Sequence, residues 1–362
     1  MRVLIIFNHP APYKVKSFNE LSKLVDLTVL FERTKAKDRP DSFYVANDYQ
    51  FKTIFLKKGY VGNEGSISCE VKKYIKSHHS EYDLIIMNGY SHLAEIKAIN
   101  YMVKHNIKFG LLINGGLIKK ESCLKKNYKK SLISKANYYI SPSAFADKYL
   151  VYYGAKQDEI YRYSYSNLDE SELVKEPLKN KDELRKRFNL PLGKRIFINP
   201  SQFIDRKNNM ELISLFKDRN DVLLLVGEGK EESKYKEFIA ANKMDNVIIR
   251  PFVKKEELFD LYKACDCHIT LSKEDIFGHT VLEAFANGIP VISSKNVISA
   301  LEYVKDGYNG FLVDDSNKEE ILKKMDSISQ EMSKHAIESA MNNTFKNSAH
   351  TIHEVLEKIY EK

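Results

Sequence analysis

The stretch SKEDIFGHTVLEAFANGIPVISS (272–294) gathers several groups that could do chemistry together. Asp275 and Glu283 supply two carboxylates, with Phe277-Gly278 between them. An apolar run ends at Ser272. A helical pattern then fills 280–287 and is closed by Asn287-Gly288 before a Pro-initiated apolar run. Gly278 lets backbone approach a ligand closely. The amides of His279, Thr280 and Val281 would sit at a helix start, where anions are favoured. Carboxylates for hydroxyls beside amides for phosphate suit a ligand that carries both hydroxyls and a diphosphate. Thr280-x-x-Glu283 also spells a capping box, which needs no ligand. The local sequence supports the two readings equally.

Cations occur in two further places. SQFIDRKN (201–208) follows an apolar run and opens a helical pattern, with Arg206 and Lys207 adjacent. A phosphate site without metal needs fixed cations or amides to hold developing negative charge, though an Arg-Lys pair is also ordinary surface charge. LIKKESCLKKNYKKSLISKA (117–136) carries Lys119, Lys120, Lys125, Lys126, Lys129, Lys130 and Lys135, with Leu124, Tyr128, Leu132 and Ala136 at helical spacing between them. That is the sequence form of a basic amphipathic helix on an anionic membrane surface. It is also the form of a helix packing its apolar stripe on a sheet beneath a solvated lysine face.

No Asp-x-Asp metal motif follows an apolar run, and Asp314-Asp315 does not fit one. Cys69, Cys123, Cys265 and Cys267 form no Cys-x-x-Cys, and Cys265-x-Cys267 is too tight for a zinc knuckle. They read as reduced thiols of a cytoplasmic protein.

The elements that must position these groups alternate short apolar runs with amphipathic stretches, twice over. In the first half 2–8, 27–31, 83–89, 109–115 and 137–143 read as strands, separated by helical patterns at 16–25, 69–78, 91–105 and 144–153. In the second half 195–201, 221–227, 246–252, 267–272, 289–294 and 310–315 read as strands, with helices at 230–242, 254–263, 280–287 and 316–329. Continuous apolar runs joined by crossover helices mean parallel sheets covered on both faces. The polar stretch 166–183 between the halves holds a linker and the start of a helix at 181–188. We expect an α/β chain of two Rossmann-like domains, 1–168 and 169–344, facing across a cleft. A final helix, 345–360, has Phe345, Ala349, Ile352, Val355, Leu356 and Ile359 on one face and is expected to pack back on the first domain.

The 362 residues suit two domains of about 150–200 each. Hydrophobic residues make 43% and charged residues 29%, a globular and not a disordered composition. No apolar run approaches ~18 residues, so no spanning helix is expected. VLIIF (3–7) is too short for a secretory leader and reads as a first strand. The net charge of +8 is uneven: residues 1–170 hold 27 Lys/Arg against 17 Asp/Glu, or +10, and residues 171–362 hold 30 against 32, or −2. The first half should attract something anionic. With no nucleic-acid motif and mostly lysine, nucleic acid is not the expected partner. An anionic membrane surface or a diphosphate-bearing acceptor fits the charge, and so does a solvated lysine surface that serves solubility alone.

The 272–294 segment resembles the donor-site signature of retaining glycosyltransferase family 4, of GT-B fold, including bacterial capsular and exopolysaccharide enzymes. That signature reads Glu-Gly-Phe-Gly, three residues, Glu-Ala, a helix, Gly-x-Pro-Val. Asp275-Ile276-Phe277-Gly278 occupies its first part, with Asp275 in place of the usual Glu, and Glu283-Ala284 its second. The resemblance implies that Glu283 binds the nucleotide ribose and that Asp275 and the 276–279 backbone bind the donor sugar. SQFIDRKN is similar to the family's Gly-Arg-x-x-x-x-Lys-Gly, whose cations neutralise the leaving diphosphate. Lys207 falls on the Lys, Gln202 falls on the Arg, and Arg206 would supply the missing charge. Gly227-Glu228-Gly229 matches a Gly-x-Gly. Pro251-Phe252 lies at a loop whose backbone would meet the base. Gly307 to Phe311 matches the family's Asp-Gly-x-x-Gly turn.

The first half matches less closely. His9-Pro10-Ala11-Pro12-Tyr13 resembles an Ala-Pro-Tyr-Arg form, with Lys14 for Arg, and would line the cleft, His9 touching acceptor. Asn114, before Gly115, stands where many members carry a His beside the donor sugar. His92 follows another strand and is a further cleft candidate. The resemblance implies a cytoplasmic or membrane-peripheral hexosyl- or N-acetylhexosaminyltransferase. It would use a UDP-sugar and neither divalent metal nor other cofactor. Its acceptor would be a glycan or lipid-linked oligosaccharide in bacterial surface polysaccharide assembly, and no well-placed carboxylate nucleophile appears in the first half. Two alternatives stay open: a GT-B nucleotide-sugar epimerase, and a non-catalytic glycosyltransferase-like partner, the latter motivated by Gln202, Asp275 and Asn114.

Overall fold

The computed structural model describes residues 1–35, 44, 48–56 and 69–362. The chain divides into two compact units, Met1–Asn167 with Phe345–Lys362, and Leu168–Thr344. Each is a fully parallel sheet covered by helices.

The first unit contains β1 (Arg2–Phe7), β2 (Asp26–Phe31), β3 (Lys52–Phe55), β4 (Leu84–Met87), β5 (Gly110–Leu112), β6 (Tyr138–Ser141) and β7 (Ile160–Arg162). They pair in the order β3-β2-β1-β4-β5-β6-β7. Val3 to Phe7 and Leu84 to Met87 are buried, as strands covered on both faces require. The helices are α1 (Pro12–Ser22), α2 (Glu70–His78), α3 (Leu93–Lys104), α4 (Cys123–Ile133) and α5 (Ala144–Tyr152). The edge strands β3 and β7 were not expected. They are short and only partly buried, so neither shows a continuous apolar run.

The second unit contains β8 (Ile196–Pro200), β9 (Val222–Val226), β10 (Val247–Arg250), β11 (Cys267–Thr270), β12 (Val291–Ser294) and β13 (Gly310–Val313), in the order β10-β9-β8-β11-β12-β13. Its helices are α6 (Asp182–Arg187), α7 (Asn209–Ser214), α8 (Glu232–Ala241), α9 (Lys255–Ala264), α10 (Thr280–Ala286), α11 (Ile298–Tyr303), α12 (Lys318–Asp326) and α13 (Gln330–Met341). Phe197, Leu223, Leu225, Ile269, Leu271 and Phe216 belong to its core.

A last helix, α14 (Phe345–Tyr360), belongs to the first unit, where it packs on α1 and β7. Phe345, Ala349, Ile352, Val355, Leu356 and Ile359 are all buried. Thr351 Oγ1 accepts from the Ser164 amide at 3.0 Å.

The lysine stretch departs from expectation. Residues 117–122 are not helical, and α4 starts only at Cys123. Leu132 is buried, but Leu124 and Tyr128, which the sheet-packing reading alone placed on a buried stripe, are exposed. No helix among the described residues is long and apolar enough to cross a membrane.

Candidate functional site

Strand order reverses direction between β8 and β11 in the second unit, and ligands of open parallel sheets bind at such switch points, beyond the carboxyl ends of the strands. The two loops that leave these strands are 201–208 and 271–279, the segments singled out by sequence. They are joined to each other. Lys207 Nζ donates to Asp275 Oδ2 in an ion pair whose side chains are only 14% and 18% exposed. Arg206 Nη1 donates to the Glu274 carbonyl at 3.1 Å, and the Lys273 amide donates to the Arg206 carbonyl at 2.9 Å. Lys273 Nζ pairs with Asp205 at 3.0 Å. Asn208, at φ 55°, turns the chain from the 205–207 turn into α7. Arg206 thus reaches a neutral acceptor and keeps its charge, whereas the charge of Lys207 is balanced by Asp275.

The β8 exit is set by a buried amide cluster. Asn199 Nδ2 donates to Asn209 Oδ1 at 2.8 Å, and Asn209 Nδ2 donates to Ser201 Oγ at 3.0 Å. The loop after β9 lies directly against it. A Cβ on Gly227, whose φ is +151°, would come within 2.0 Å of the Ser201 carbonyl oxygen, so only glycine fits. Beyond β10, the Phe252 ring is 68% exposed and its amide meets Glu228 Oε1 at 3.4 Å. Pro251 and Gln202 are exposed at the same edge.

The β11 exit is held from the other side by the loop after β12. The Asp275 amide donates to the Asn296 carbonyl at 3.0 Å. The Ser299 amide donates to the Phe277 carbonyl at 2.7 Å, and Ser299 Oγ to the Gly278 carbonyl at 2.6 Å. Gly278 has φ +82°, and its Cβ would strike Val297. This turn makes His279 already helical, so Thr280 is the first full residue of α10 and no side chain caps the helix. The capping box read from Thr280-x-x-Glu283 therefore does not form. Phe277 is buried, Ile276 is exposed, and Val281 is in the core. Glu283 lies in the first turn of α10. Burial, with the Glu283 carboxylate as a second cause, pushes the Tyr262 phenol well above its ordinary range; its hydroxyl donates to the Thr280 carbonyl at 3.3 Å.

Sequence reasoning passed over Asn296, Ser299, Asn199, Asn209 and His268. The Ser/Asn-rich run after β12 was a signal for the first two. His268, on β11, is fully buried, and its Nδ1 sits 3.1 Å from the Ile198 carbonyl, to which it donates. Burial lowers its pKa to about 3, with Lys207 acting in the same direction, so the ring is neutral.

In the first unit the switch point falls between β1 and β4. His9, half-buried after β1, has Nδ1 3.1 Å from the Tyr44 hydroxyl. Pro10 is buried and Tyr13 half-buried. Lys14, in the first turn of α1, is buried with its amine 4.0 Å from the Tyr165 ring centroid, and burial lowers its pKa to about 7. After β4, His92 occupies the cap of α3, and Glu95 accepts from the Ser91 and His92 amides at 2.8 and 2.9 Å. Burial pushes the Glu95 carboxyl up to about 7. His92 thus has a structural task at a helix start. After β5, Asn114 Oδ1 is buried, and Gly115 has φ +135°.

Residues 180–343 match the family model described as glycosyl transferases group 1. An uncharacterized glycosyltransferase of Methanocaldococcus jannaschii is 23% identical over 282 residues, 72% of this chain and 79% of that protein. Among solved structures, HepE of Anabaena in complex with UDP superposes with a TM-score of 0.76 at 18% identity, covering 99% of this chain and 100% of that one. The sucrose-phosphate synthase of Thermosynechococcus elongatus superposes with a TM-score of 0.78 at 17% identity, covering 100% of both. The match to the glycosyl transferases group 1 model spans 180–343, and the two units have the GT-B fold of these glycosyltransferase structures.

Proposed function

We propose that the chain is a retaining glycosyltransferase that moves a hexosyl or N-acetylhexosaminyl group from a UDP-sugar to a glycan acceptor, lipid-linked, in surface polysaccharide assembly. The observation that carries this reading is the Lys207–Asp275 pair, which joins the two strand exits at the switch point of the matched domain. Uridine is favoured because a structure of similar fold was solved with UDP.

In this reading Lys207 and Arg206 hold the charge that grows on the departing diphosphate, where prepositioned cations act most strongly in a partly dry site. Asp275 and the 276–279 backbone, with the amides of Thr280 and Val281, hold the sugar and phosphates. Glu283 accepts from ribose hydroxyls. Gly227, Gln202, Pro251 and Phe252 form the base-proximal edge. The cations do the work a metal would do, so no divalent ion is needed. The acceptor is assigned to the first unit, with His9, Pro10, Tyr13, His92, Asn114 and Gly115 as its candidates. The acceptor hydroxyl attacks the anomeric carbon on the face the diphosphate leaves. The C–O bond to phosphate breaks as the new glycosidic bond forms, and the leaving phosphate oxygen takes the hydroxyl proton.

The test is a melting-temperature screen with nucleoside diphosphates and nucleotide-sugars, followed by product analysis. A ligand at 100 times its Kd should add about 2.7 kcal/mol. UDP should stabilise the protein, and the UDP-sugar should be consumed with retention at the anomeric carbon. Formation of an epimer without transfer, or no stabilisation by any nucleotide, would refute the reading.

A further inference from the structure

We infer that the second unit carries a further site, a groove at the amino ends of its strands that binds a neutral oligosaccharide. The groove has a volume of about 1390 Å³. That exceeds the roughly 300–1,000 Å³ of a site for one small molecule, so it has room for an oligomer. Arg195, Asp266 and Ile289 line it, and they lie just before β8, β11 and β12. The loops of the proposed donor site leave the opposite, carboxyl ends of the same sheet. The groove is therefore separate from that site.

Its walls are fixed by the fold. One is the 175–182 segment. The Val174 amide ties it down by donating to the Ala286 carbonyl at 2.9 Å, and Lys181 Nζ pairs with Asp266 at 2.8 Å. The other wall is α13, where Lys334, Ile337 and Met341 recur at helical spacing and so share one side. Gly288 closes the floor between them: at φ +69°, a Cβ there would lie 3.3 Å from Ile337 and 3.4 Å from Pro177. Beside it Asn287, also on the floor, is 2% exposed, and its Nδ2 donates to the Glu283 carbonyl at 2.8 Å. That bond fixes the side-chain amide. It leaves Asn287 Oδ1 buried with no hydrogen-bond partner among the described residues. A buried acceptor in this state is costly, and a hydroxyl reaching the floor would relieve it.

The rim selects the class of ligand. Lys175, Lys179 and Lys334 are exposed there, and so are Glu176, Asp182 and Glu331. Other charged residues of the lining, among them Arg185, Arg195 and Lys263, are held in ion pairs. Three exposed cations against three exposed carboxylates give no net charge, so a phosphate and a polyamine would each meet repulsion as well as attraction. They offer donors and acceptors side by side, and a hydroxyl is both. Leu178 and Met341, 41% and 53% exposed, lie among them and suit the apolar C–H face of a sugar ring. A protein surface pressed onto the groove would strip water from all six charges, whereas a glycan leaves them wet. The groove would hold a growing glycan on the donor unit while its end is extended; that role, unlike the binding, rests on the transferase reading.

Titration calorimetry on the whole protein with maltohexaose, cellohexaose and N-acetylchitohexaose tests this. At least one should bind, with the same Kd with and without UDP and at low and high salt, since a neutral ligand is not screened. Spermine and polyphosphate should not compete. Leu178→Ser with Met341→Ser, both on the surface, should weaken binding about tenfold and leave UDP stabilisation unchanged. Asn287→Leu, which removes the buried acceptor, should weaken it by a similar factor; if that variant does not fold, the surface pair decides. A protein that binds a hexasaccharide but is not stabilised by any nucleotide would sink the transferase reading and leave the groove standing. Four results would overturn the groove: no binding of any of the three; unchanged affinity in the surface pair; displacement of the hexasaccharide by UDP; or a dimer that the surface pair dissolves.

Discussion

Removing the Lys207 amine tests the proposed donor site most directly. A unit charge about 4 Å from a diphosphate oxygen contributes roughly 4 kcal/mol at an effective dielectric near 20. Desolvation returns part of that, and one lost transition-state donor typically costs about 10²–10³ in kcat. Lys207→Ala should therefore lower kcat by that factor. It also strands Asp275, a carboxylate only 18% exposed, beside the incoming phosphates. That adds repulsion to UDP binding and costs about 1–2 kcal/mol of stability, less than for a fully buried pair. At roughly 2–4 °C per kcal/mol, Tm should fall by roughly 2–8 °C. The double variant Lys207→Ala/Asp275→Asn separates the two effects: it should recover Tm and part of the UDP affinity, but not kcat. UDP titration calorimetry, a donor-consumption assay and melting curves on one preparation of each variant provide the comparison. If Lys207→Ala melts lower yet binds UDP and turns over donor normally, the pair only ties two loops together and the charge argument is wrong.

Glu283→Gln should weaken UDP-sugar binding and lower kcat/KM with little change in Tm, because α10 has no side-chain cap to lose and charge-assisted bonds to ribose hydroxyls are about twice as strong as neutral ones; normal turnover in the variant would remove Glu283 from the donor site. Lys14→Met should raise Tm, most at pH 7 and below and progressively less toward pH 10.5. Between those values the unfolded chain binds a proton that the buried amine refuses, so wild-type stability falls as pH drops through the window and then levels off; a Tm difference independent of pH would refute the burial argument.

The sheets were legible because buried parallel strands are continuous apolar runs, as RIFINP and DVLLLV show. The six-residue helix α11 was not, since a helical stripe hardly repeats within six residues. Helix α13 buries Met332, Ala336, Ile337 and Ala340, a stripe in which small residues dilute the apolar signal. In α4 the spacing of Leu124 and Tyr128 was read correctly, but spacing does not say which way a stripe faces. At the site, Lys207 and Asp275 were each found by local pattern. Their pairing spans 68 positions and depends on β8 and β11 being neighbours, which no local pattern encodes. The capping box failed for a similar reason: Ser299, contributed by the first turn of α11, fixes the Gly278 turn and moves the helix start.

The chain passes between its two units twice, at 167–168 and again at 344–345. This connectivity has a consequence for synthesis. At about 5–20 residues per second, the first unit leaves the ribosome lacking α14. The side of α1 that α14 covers stays open to water until that helix is translated. The second unit is one uninterrupted segment and can close as soon as residue 344 emerges. Translation order and completion order are therefore reversed: the unit made second finishes first, and the unit made first depends on the last helix to cover it.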